Sequence, residues 1–188
     1  MQMPLLRVFT LAALVALAPA VRAADKPAEA PKPPKEMSQL SAFLGSWTCS
    51  GKTFATPMGP EHATEAKMGA SHALEGFWVV FHYDETKTAA NPMPYHAAGF
   101  MGYDPGDKVF LERCHDSFGA FCNQTSKGWG GDVLTFEGPG SMGGQKTAFR
   151  DIFTKKSATE MVHAGEGQGP DGKWMKTDEE TCTKAAKK

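Results

Sequence analysis

The chain has 188 residues, of which 22% are charged and 41% are hydrophobic, and its formal net charge at pH 7 is -1. This length fits one domain with or without a tail, and the near-neutral charge argues against a nucleic-acid partner, because such proteins present a basic surface. All 20 glycines lie at or after Gly45, whereas six of the 13 prolines lie at or before Pro34. The chain therefore joins two segments of different composition.

The first segment has the anatomy of an export signal. Residues 1–7 carry one positive charge, residues 8–20 form an apolar run, and small residues precede Ala24. This pattern predicts a signal peptide over residues 1–23, cleaved after Ala23. The run is too short to remain as a membrane anchor, and no later stretch predicts a membrane span. We therefore expect a periplasmic or secreted protein.

A proline-rich stretch follows the predicted signal. Residues 24–36 consist mainly of alanine, proline, lysine and glutamate, a composition that predicts a solvated, disordered spacer. A proline-rich docking motif is the alternative. We expect the folded domain to occupy residues 37–188 and to begin with a short helix at residues 38–44, for which Ser38 is a candidate N-cap.

The second segment is punctuated by turn signals in which proline accompanies glycine, asparagine or aspartate: residues 56–60, 90–92, 104–107, 138–140 and 169–172. In each signal, proline presets φ, and glycine, asparagine or aspartate tolerates positive φ, as turns require. The glycine-rich residues 165–169 are interpreted as a flexible hairpin end. Between these signals lie β-rich runs, at residues 47–54, 76–83, 95–103, 108–114, 132–137, 147–154, 158–164 and 173–182.

This pattern of short strands and turns indicates an all-β fold. Eight to ten strands favour an up-and-down antiparallel barrel, because closure removes exposed edges. A barrel of this size is wide enough to enclose one small ligand. A sandwich with a solid core is the alternative.

The four cysteines fit an oxidising compartment. Cys49 lies in the first predicted strand and Cys182 in the last, which are neighbours in an up-and-down barrel. Cys114 and Cys122 flank a segment able to turn a hairpin. We therefore predict the disulfides Cys49–Cys182 and Cys114–Cys122. A metal site at Cys114, His115 and Cys122 is the alternative, but it lacks the close ligand spacing of common zinc sites.

Two strand faces are candidates for a ligand-binding surface. Trp78 and His82 share one face by the period-two rule, and His96 and Phe100 share a face of the next strand. If these faces point inward, they form a pocket for a flat apolar ligand. The opposite face of the first strand, which includes Phe81, is equally apolar, so alternation leaves the inside undetermined.

Three short segments carry a family resemblance. Gly45 and Trp47 open the first strand as Gly-x-Trp, and residues 74–78 and 99–104 follow with their aromatic and glycine positions. In this order they resemble the bacterial family called domain of unknown function 1579, whose members are similar to lipocalins and nitrobindins. The resemblance implies a calycin-like barrel of about ten strands over residues 37–183, with Trp47 plugging one end, and it brings no established activity.

These observations favour a non-enzymatic exported barrel that binds a small apolar or amphipathic molecule in its lumen. The alternatives are a barrel enzyme in which His82, His96 or Glu75 performs acid-base chemistry, and a structural or interaction protein of the cell envelope. No cofactor is predicted. Haem is a minor alternative, because the residues around His163 do not match the proximal-histidine pattern of nitrobindins. The oligomeric state stays open.

Overall fold

The computed structural model describes residues 29–56 and 59–185. The predicted signal peptide and the first residues of the predicted spacer lie outside the described residues. A compact unit spans Lys32–Lys188 and begins with a 3-10 helix, Lys35–Ala42. This helix starts inside the predicted spacer, so the boundary at residue 37 is placed slightly late. The described residues contain no helix long and apolar enough to cross a membrane.

Ten antiparallel strands form a closed barrel. Their bounds are β1 Gly45–Thr53, β2 His62–Ala73, β3 Trp78–Glu85, β4 His96–Asp104, β5 Val109–Asp116, β6 Phe121–Ser126, β7 Val133–Met142, β8 Gln145–Lys155, β9 Glu160–Gln168 and β10 Trp174–Lys184. Each strand pairs with its neighbours in sequence, and β1 pairs with β10 to close the barrel. The prediction of an all-β, up-and-down antiparallel barrel is confirmed.

Two strands, β2 and β6, were not among the predicted runs. The β2 sequence is rich in alanine and poor in β-branched residues, which gives it a low intrinsic strand propensity. Tertiary packing explains why it is nevertheless a strand, because Ala66 and Ala70 are buried in the same core cluster as Trp47. Small side chains there leave room for the indole ring.

Two predicted turns lie inside strands. Residues 138–140 belong to β7, and residues 165–168 belong to β9. Pro139 has no N–H to donate, and the pairing of β6 with β7 is interrupted there, passing from the Cys122–Gly140 pair to the Thr125–Glu137 pair. The turn signals were therefore wrong at these two places, since proline and glycine here serve strand irregularity and close approach.

The inner face of the barrel divides into two halves. The apolar half lies at the end where β1 begins, and the helix Lys35–Ala42 packs into it. Its core consists of Met37, Leu40, Phe43, Trp47, Val79, Met101, Phe110, Leu134, Phe136 and Phe153. The Trp47 indole Nε1 donates a hydrogen bond to the Phe43 carbonyl oxygen at 2.8 Å, and Trp47 is buried in this core.

The polar half lies toward the other end. Its inner face carries Tyr83, Glu85, Glu112, Gln124, Asp151, His163, Asp178 and Glu180, according to the register of the strands and their burial.

Both predicted disulfides, Cys49–Cys182 and Cys114–Cys122, are present. Each joins residues that are paired directly across neighbouring strands. The alternative metal site at Cys114, His115 and Cys122 is therefore wrong, because the thiolates that it requires are oxidised.

Candidate functional site

The four residues predicted to bind a ligand lie on the outer face of the barrel. Trp78 and His82 alternate with buried Val79, and Phe100 is 46% exposed. The Trp78 and Phe100 rings meet edge to face with centroids 6.5 Å apart. His96 Nδ1 lies 2.9 Å from an Asp84 carboxylate oxygen in an exposed pair. The structure therefore brings these residues to the surface rather than into the lumen.

Strand β3 is apolar on both faces for a physical reason. Its inner face contributes to the core, while on its outer face Trp78 lies against Gly102, where an added Cβ would come within 2.6 Å of the ring. His82 lies against Gly69 in the same way, beside a surface cavity of about 300 Å³. These rings pack over glycines on the outer face of the sheet. The apolar content of β3 therefore does not distinguish its inner face from its outer face.

The centre of the polar half is His163 on β9, held between two carboxylates. Its Nε2 lies 3.0 Å from Asp151 Oδ1 on β8, and its Nδ1 lies 3.2 Å from Asp178 Oδ1 on β10. Carboxylates accept but do not donate, so both ring nitrogens carry protons and the ring is an imidazolium. Burial opposes this charge, but the hydrogen bonds and charges of Asp151 and Asp178 outweigh it and hold the pKa of His163 well above 6.5.

Strand register brings these three side chains together. His163 is paired with Phe153 of β8 and with Glu180 of β10. The two aspartates each lie two residues earlier in their strands, opposite Gly165, and approach the imidazole diagonally, within reach of long side chains.

Asp178 is held by several donors at once. Thr177 Oγ1 donates to its Oδ2 at 2.8 Å, and the Gly165 N–H also donates to it. Burial alone would raise the pKa of Asp178, but the hydrogen bond and charge of His163 reverse this effect and lower it. Gly165 is required here, because a Cβ at that position would collide with the Asp178 carboxylate. The glycine that suggested a flexible turn is a close-approach position of the site.

Glu180 and Tyr83 extend the cluster toward β1 and β3. Tyr83 Oη donates a hydrogen bond to Glu180 Oε1 at 2.6 Å. Burial raises the pKa of Glu180, and the Tyr83 hydrogen bond only partly offsets this effect. Burial and the Glu180 charge raise the pKa of Tyr83 in turn. This pair adds a carboxyl group and an aromatic ring to the lumen wall.

Glu112 and Gln124 face the cluster from β5 and β6, where they are paired in register. Glu112 is 4% exposed and Gln124 is fully buried. Burial, reinforced by the charge of Asp151, raises the pKa of Glu112 well above its usual value. Glu112 Oε2 and both amide atoms of Gln124 have no hydrogen-bond partner among the described residues.

The mouth of the polar half is formed partly by the loop after β3. Glu85 accepts hydrogen bonds from Asn91 Nδ2 at 2.8 Å and from the Tyr95 N–H at 2.6 Å, which fixes this loop against the barrel. The Tyr95 ring stacks on Phe118 with centroids 6.2 Å apart and lies tilted against Tyr83 with centroids 6.0 Å apart. Burial and the surrounding carboxylates raise the pKa of Tyr95.

Solvent reaches the cluster even though its residues lie deep in the barrel. The side chains of His163, Asp151 and Asp178 are 22%, 27% and 30% exposed. Their exposure contrasts with that of the apolar half, where Phe43 and Phe136 are 1% exposed or less. The polar half is therefore less tightly packed than the apolar half and is lined by titratable groups.

This arrangement does not fit two metal or cofactor alternatives. Both His163 nitrogens are occupied as donors, so neither offers the lone pair that haem iron needs. Cys49 and Cys182 lie close to Glu180, but their sulfur atoms are joined in the disulfide and do not bind metal as thiolates. The residues present instead suit hydrogen bonding and charge recognition.

The sequence analysis missed this cluster, although one signal pointed to it. Asp178, Glu180 and Cys182 alternate along β10 and therefore share a face. Because Cys182 was predicted to pair with Cys49, its face would have been recognised as inward. Two acidic residues on a buried face indicate a functional site more often than a structural one.

The fold and lumen define a calycin-like barrel with an apolar plug at one end and a polar recess at the other. A sequence profile of the family DUF1579, described as a protein of unknown function, matches residues 32–184. The chain belongs to this family, as the three motifs suggested.

One solved structure supports the fold, and a second is less similar. The crystal structure of Rv2717c from M. tuberculosis is 14% identical in sequence, covers 82% of this chain and 100% of its own, and superposes with a TM-score of 0.65. A redesigned β-barrel is 12% identical, covers 78% of this chain and 94% of its own, and has a TM-score of 0.40. None of the curated proteins matches the chain in sequence.

Proposed function

We propose that this protein is an exported binding barrel that takes a small amphipathic molecule into the polar half of its lumen. The observation that carries this proposal is the solvent-accessible cluster around His163, deep inside a barrel whose core is already supplied by the apolar half. Buried charges are costly when they serve packing alone. Their concentration at one end supports a role in recognition.

The chemistry of the recess favours an amphipathic molecule over a purely apolar one. An apolar ligand would exclude water from Asp151 and Asp178 without replacing the hydrogen bonds of that water. A ligand that carries one polar group and a flat apolar body satisfies both the carboxylates and the rings of Tyr83 and Tyr95. The amphipathic half of the sequence-based hypothesis is therefore the one that we retain.

Export is the second part of the proposal. Two disulfides within the barrel are compatible with an oxidising compartment, and residues 1–23 have the pattern of a signal peptide. We therefore place the working form of the protein in the periplasm or outside the cell.

The acid-base enzyme built on His82, His96 and Glu75 has no support in the geometry. His82 and His96 lie on the outer face of β3 and β4, and Glu75 lies in the exposed 3-10 helix Leu74–Gly76. These side chains do not converge on a shared recess, which general acid-base catalysis requires.

Histidine ring NMR tests the binding proposal with internal controls. His163 faces the lumen, whereas His82 and His96 face outward, so the ring signals report the two surfaces separately once H163Q, H82Q and H96Q variants assign them. We expect small amphipathic probes, such as 2-phenylethanol and its charged analogues, to shift the His163 signal in a saturable way and to leave His82 and His96 unchanged. Shifts confined to His82 or His96 would contradict a lumen site and favour the outer aromatic face. No change in any histidine ring signal would contradict binding.

A further inference from the structure

The polar half of the lumen carries more acidic than basic groups. Five carboxyl groups face it, from Glu85, Glu112, Asp151, Asp178 and Glu180. His163 is the basic group at the centre of this inner face, and His62, at the start of β2, shares the alternation of buried Thr64 and Ala66. Arg113 and Arg150 lie on outward positions of β5 and β8, where Arg150 pairs with Glu137 at 2.6 Å. The His163 imidazolium between Asp151 and Asp178, here called the clamp, itself has a net negative charge.

Unsatisfied polar atoms line the wall opposite this clamp. Gln124 is fully buried, and neither its Oε1 nor its Nε2 has a hydrogen-bond partner among the described residues. Glu112 Oε2 also has no hydrogen-bond partner among them. Glu112 and Gln124 are paired in register on β5 and β6 at buried positions of the inner face. Each such buried atom costs roughly 1–3 kcal/mol when left unpaired. A ligand that reaches the clamp with several N–H groups would recover part of that cost.

Aromatic rings border the same space. Tyr83 and Tyr95 lie with centroids 6.0 Å apart, and the Tyr83 hydroxyl group is engaged with Glu180. A tyrosine ring attracts a cation over its face, and the attraction grows when the site is shielded from water. Carboxylates beside aromatic walls are the combination that recognises an organic cation.

We propose that the molecule bound in the polar half is a small organic cation, with an ammonium or guanidinium group on an apolar body. This inference rests on the proposed binding function and names its chemical class. The cationic group lies beside the Asp151, Asp178 and Glu180 carboxylates, Glu112 and Gln124 accept its remaining N–H bonds, and its body lies along Tyr83 and Tyr95.

The charge of the probe tests this inference in the wild-type protein. We use 2-phenylethylammonium, 2-phenylethanol and 3-phenylpropionate, which share one aromatic ring and differ in charge. Each is titrated at pH 6.5 and low salt, with the His163 ring signal as the readout. We expect the ammonium probe to bind at least roughly tenfold more tightly than the alcohol, as charged hydrogen bonds exceed neutral ones, and the carboxylate probe to bind most weakly.

The outcomes separate the two proposals. If the alcohol or the carboxylate binds as tightly as the ammonium, the cation inference is overturned while lumen binding stands. If no probe shifts the His163 signal, both are overturned. These results need no variant, so they hold even where a substitution impairs folding.

Two neighbouring glutamates provide a matched pair of variants. Glu180 faces the lumen and is 3% exposed, whereas the side chain of Glu179 faces outward and is 47% exposed. We expect Glu180→Gln to reduce the preference for ammonium over alcohol by roughly fivefold or more, because a counter-charge is lost, and Glu179→Gln to leave it unchanged. Equal effects of the two variants would indicate general electrostatics and contradict a lumen contact. Asp151→Asn provides a second lumen variant with the same expectation.

Discussion

The apolar and polar halves of this barrel differ in how their inner positions are used. In the apolar half, Phe43 packs edge to face against Phe153 with centroids 4.8 Å apart, and the helix Lys35–Ala42 covers the end of the lumen. In the polar half, the corresponding inner positions of β8, β9 and β10 hold Asp151, His163 and Asp178. The apolar half therefore stabilises the barrel by burial, while the polar groups of the other half reduce that stability.

The two disulfides belong to different halves and should differ most in their effect on stability. Cys49–Cys182 closes a loop of 133 residues between the first and last strands, whereas Cys114–Cys122 spans only 8. On the loop-entropy model the first contributes about 5 kcal/mol and the second about 2.5 kcal/mol. We expect urea unfolding of the paired alanine variants, C49A/C182A and C114A/C122A, to show this order. A larger loss for the second pair would contradict the order expected from loop length.

A large-to-small substitution in the apolar half tests whether stability and binding are separable. Phe43 is fully packed, so Phe43→Ala leaves a cavity and should cost about 3–5 kcal/mol in the free energy of unfolding. The His163 ring signal and its response to probes should stay as in the wild type below the unfolding temperature. A changed His163 response in folded F43A would show that the two halves are coupled.

The barrel itself was predictable from sequence because its signals are local. Turn chemistry at residues 104–107 and 169–172, together with β-rich runs, indicates hairpins without knowledge of the rest of the chain. The pairing of Cys49 with Cys182 followed from topology alone. Strand β2 was not predicted because its alanines are explained by packing near Trp47. That is a tertiary requirement with no local sequence signal.

The site was harder to predict because it depends on which face of each strand points inward. On β3 both faces are apolar, so Trp78 and His82 were as plausible inside as outside. A one-residue change of register exchanges the two faces, and the meeting of Asp151, His163 and Asp178 depends on three strands in correct register. Only the shared face of Asp178, Glu180 and Cys182 offered a sequence-level signal.

Replacing the central imidazolium tests the clamp in the polar half. His163→Gln removes the positive charge between Asp151 and Asp178 and should cost on the order of 2 kcal/mol, less than for a fully buried pair because solvent reaches the clamp. The pKa of His163 is raised on folding, so its contribution is complete below the unfolded value of about 6.5 and is lost as pH rises through the folded value.

The pKa of Asp178 is lowered on folding, so its contribution holds above its unfolded value near 3.9 and is lost as pH falls through the folded value. The cost of H163Q should therefore be largest between about pH 4 and pH 6.5. Denaturant titrations at pH 5, 7 and 9 measure it. A cost that grew toward pH 9 would contradict the imidazolium assignment.

The smallest expected effect has the opposite sign. Glu112 is a buried acid whose pKa is raised on folding, mainly by burial, so the unfolded chain releases its proton at lower pH than the folded one. The contribution of Glu112 to stability therefore falls as pH rises from the unfolded value, near 4.3, toward the folded one. Glu112→Gln keeps the shape of the neutral acid and should stabilise the protein by on the order of 1 kcal/mol, with a gain that is greater at pH 8 than at pH 5. The same variant should weaken binding of 2-phenylethylammonium, because the acid can no longer ionise against the cation. A barrel that becomes more stable and binds less well identifies Glu112 as a residue kept for the ligand, whereas tighter binding with lower stability would assign it to the core.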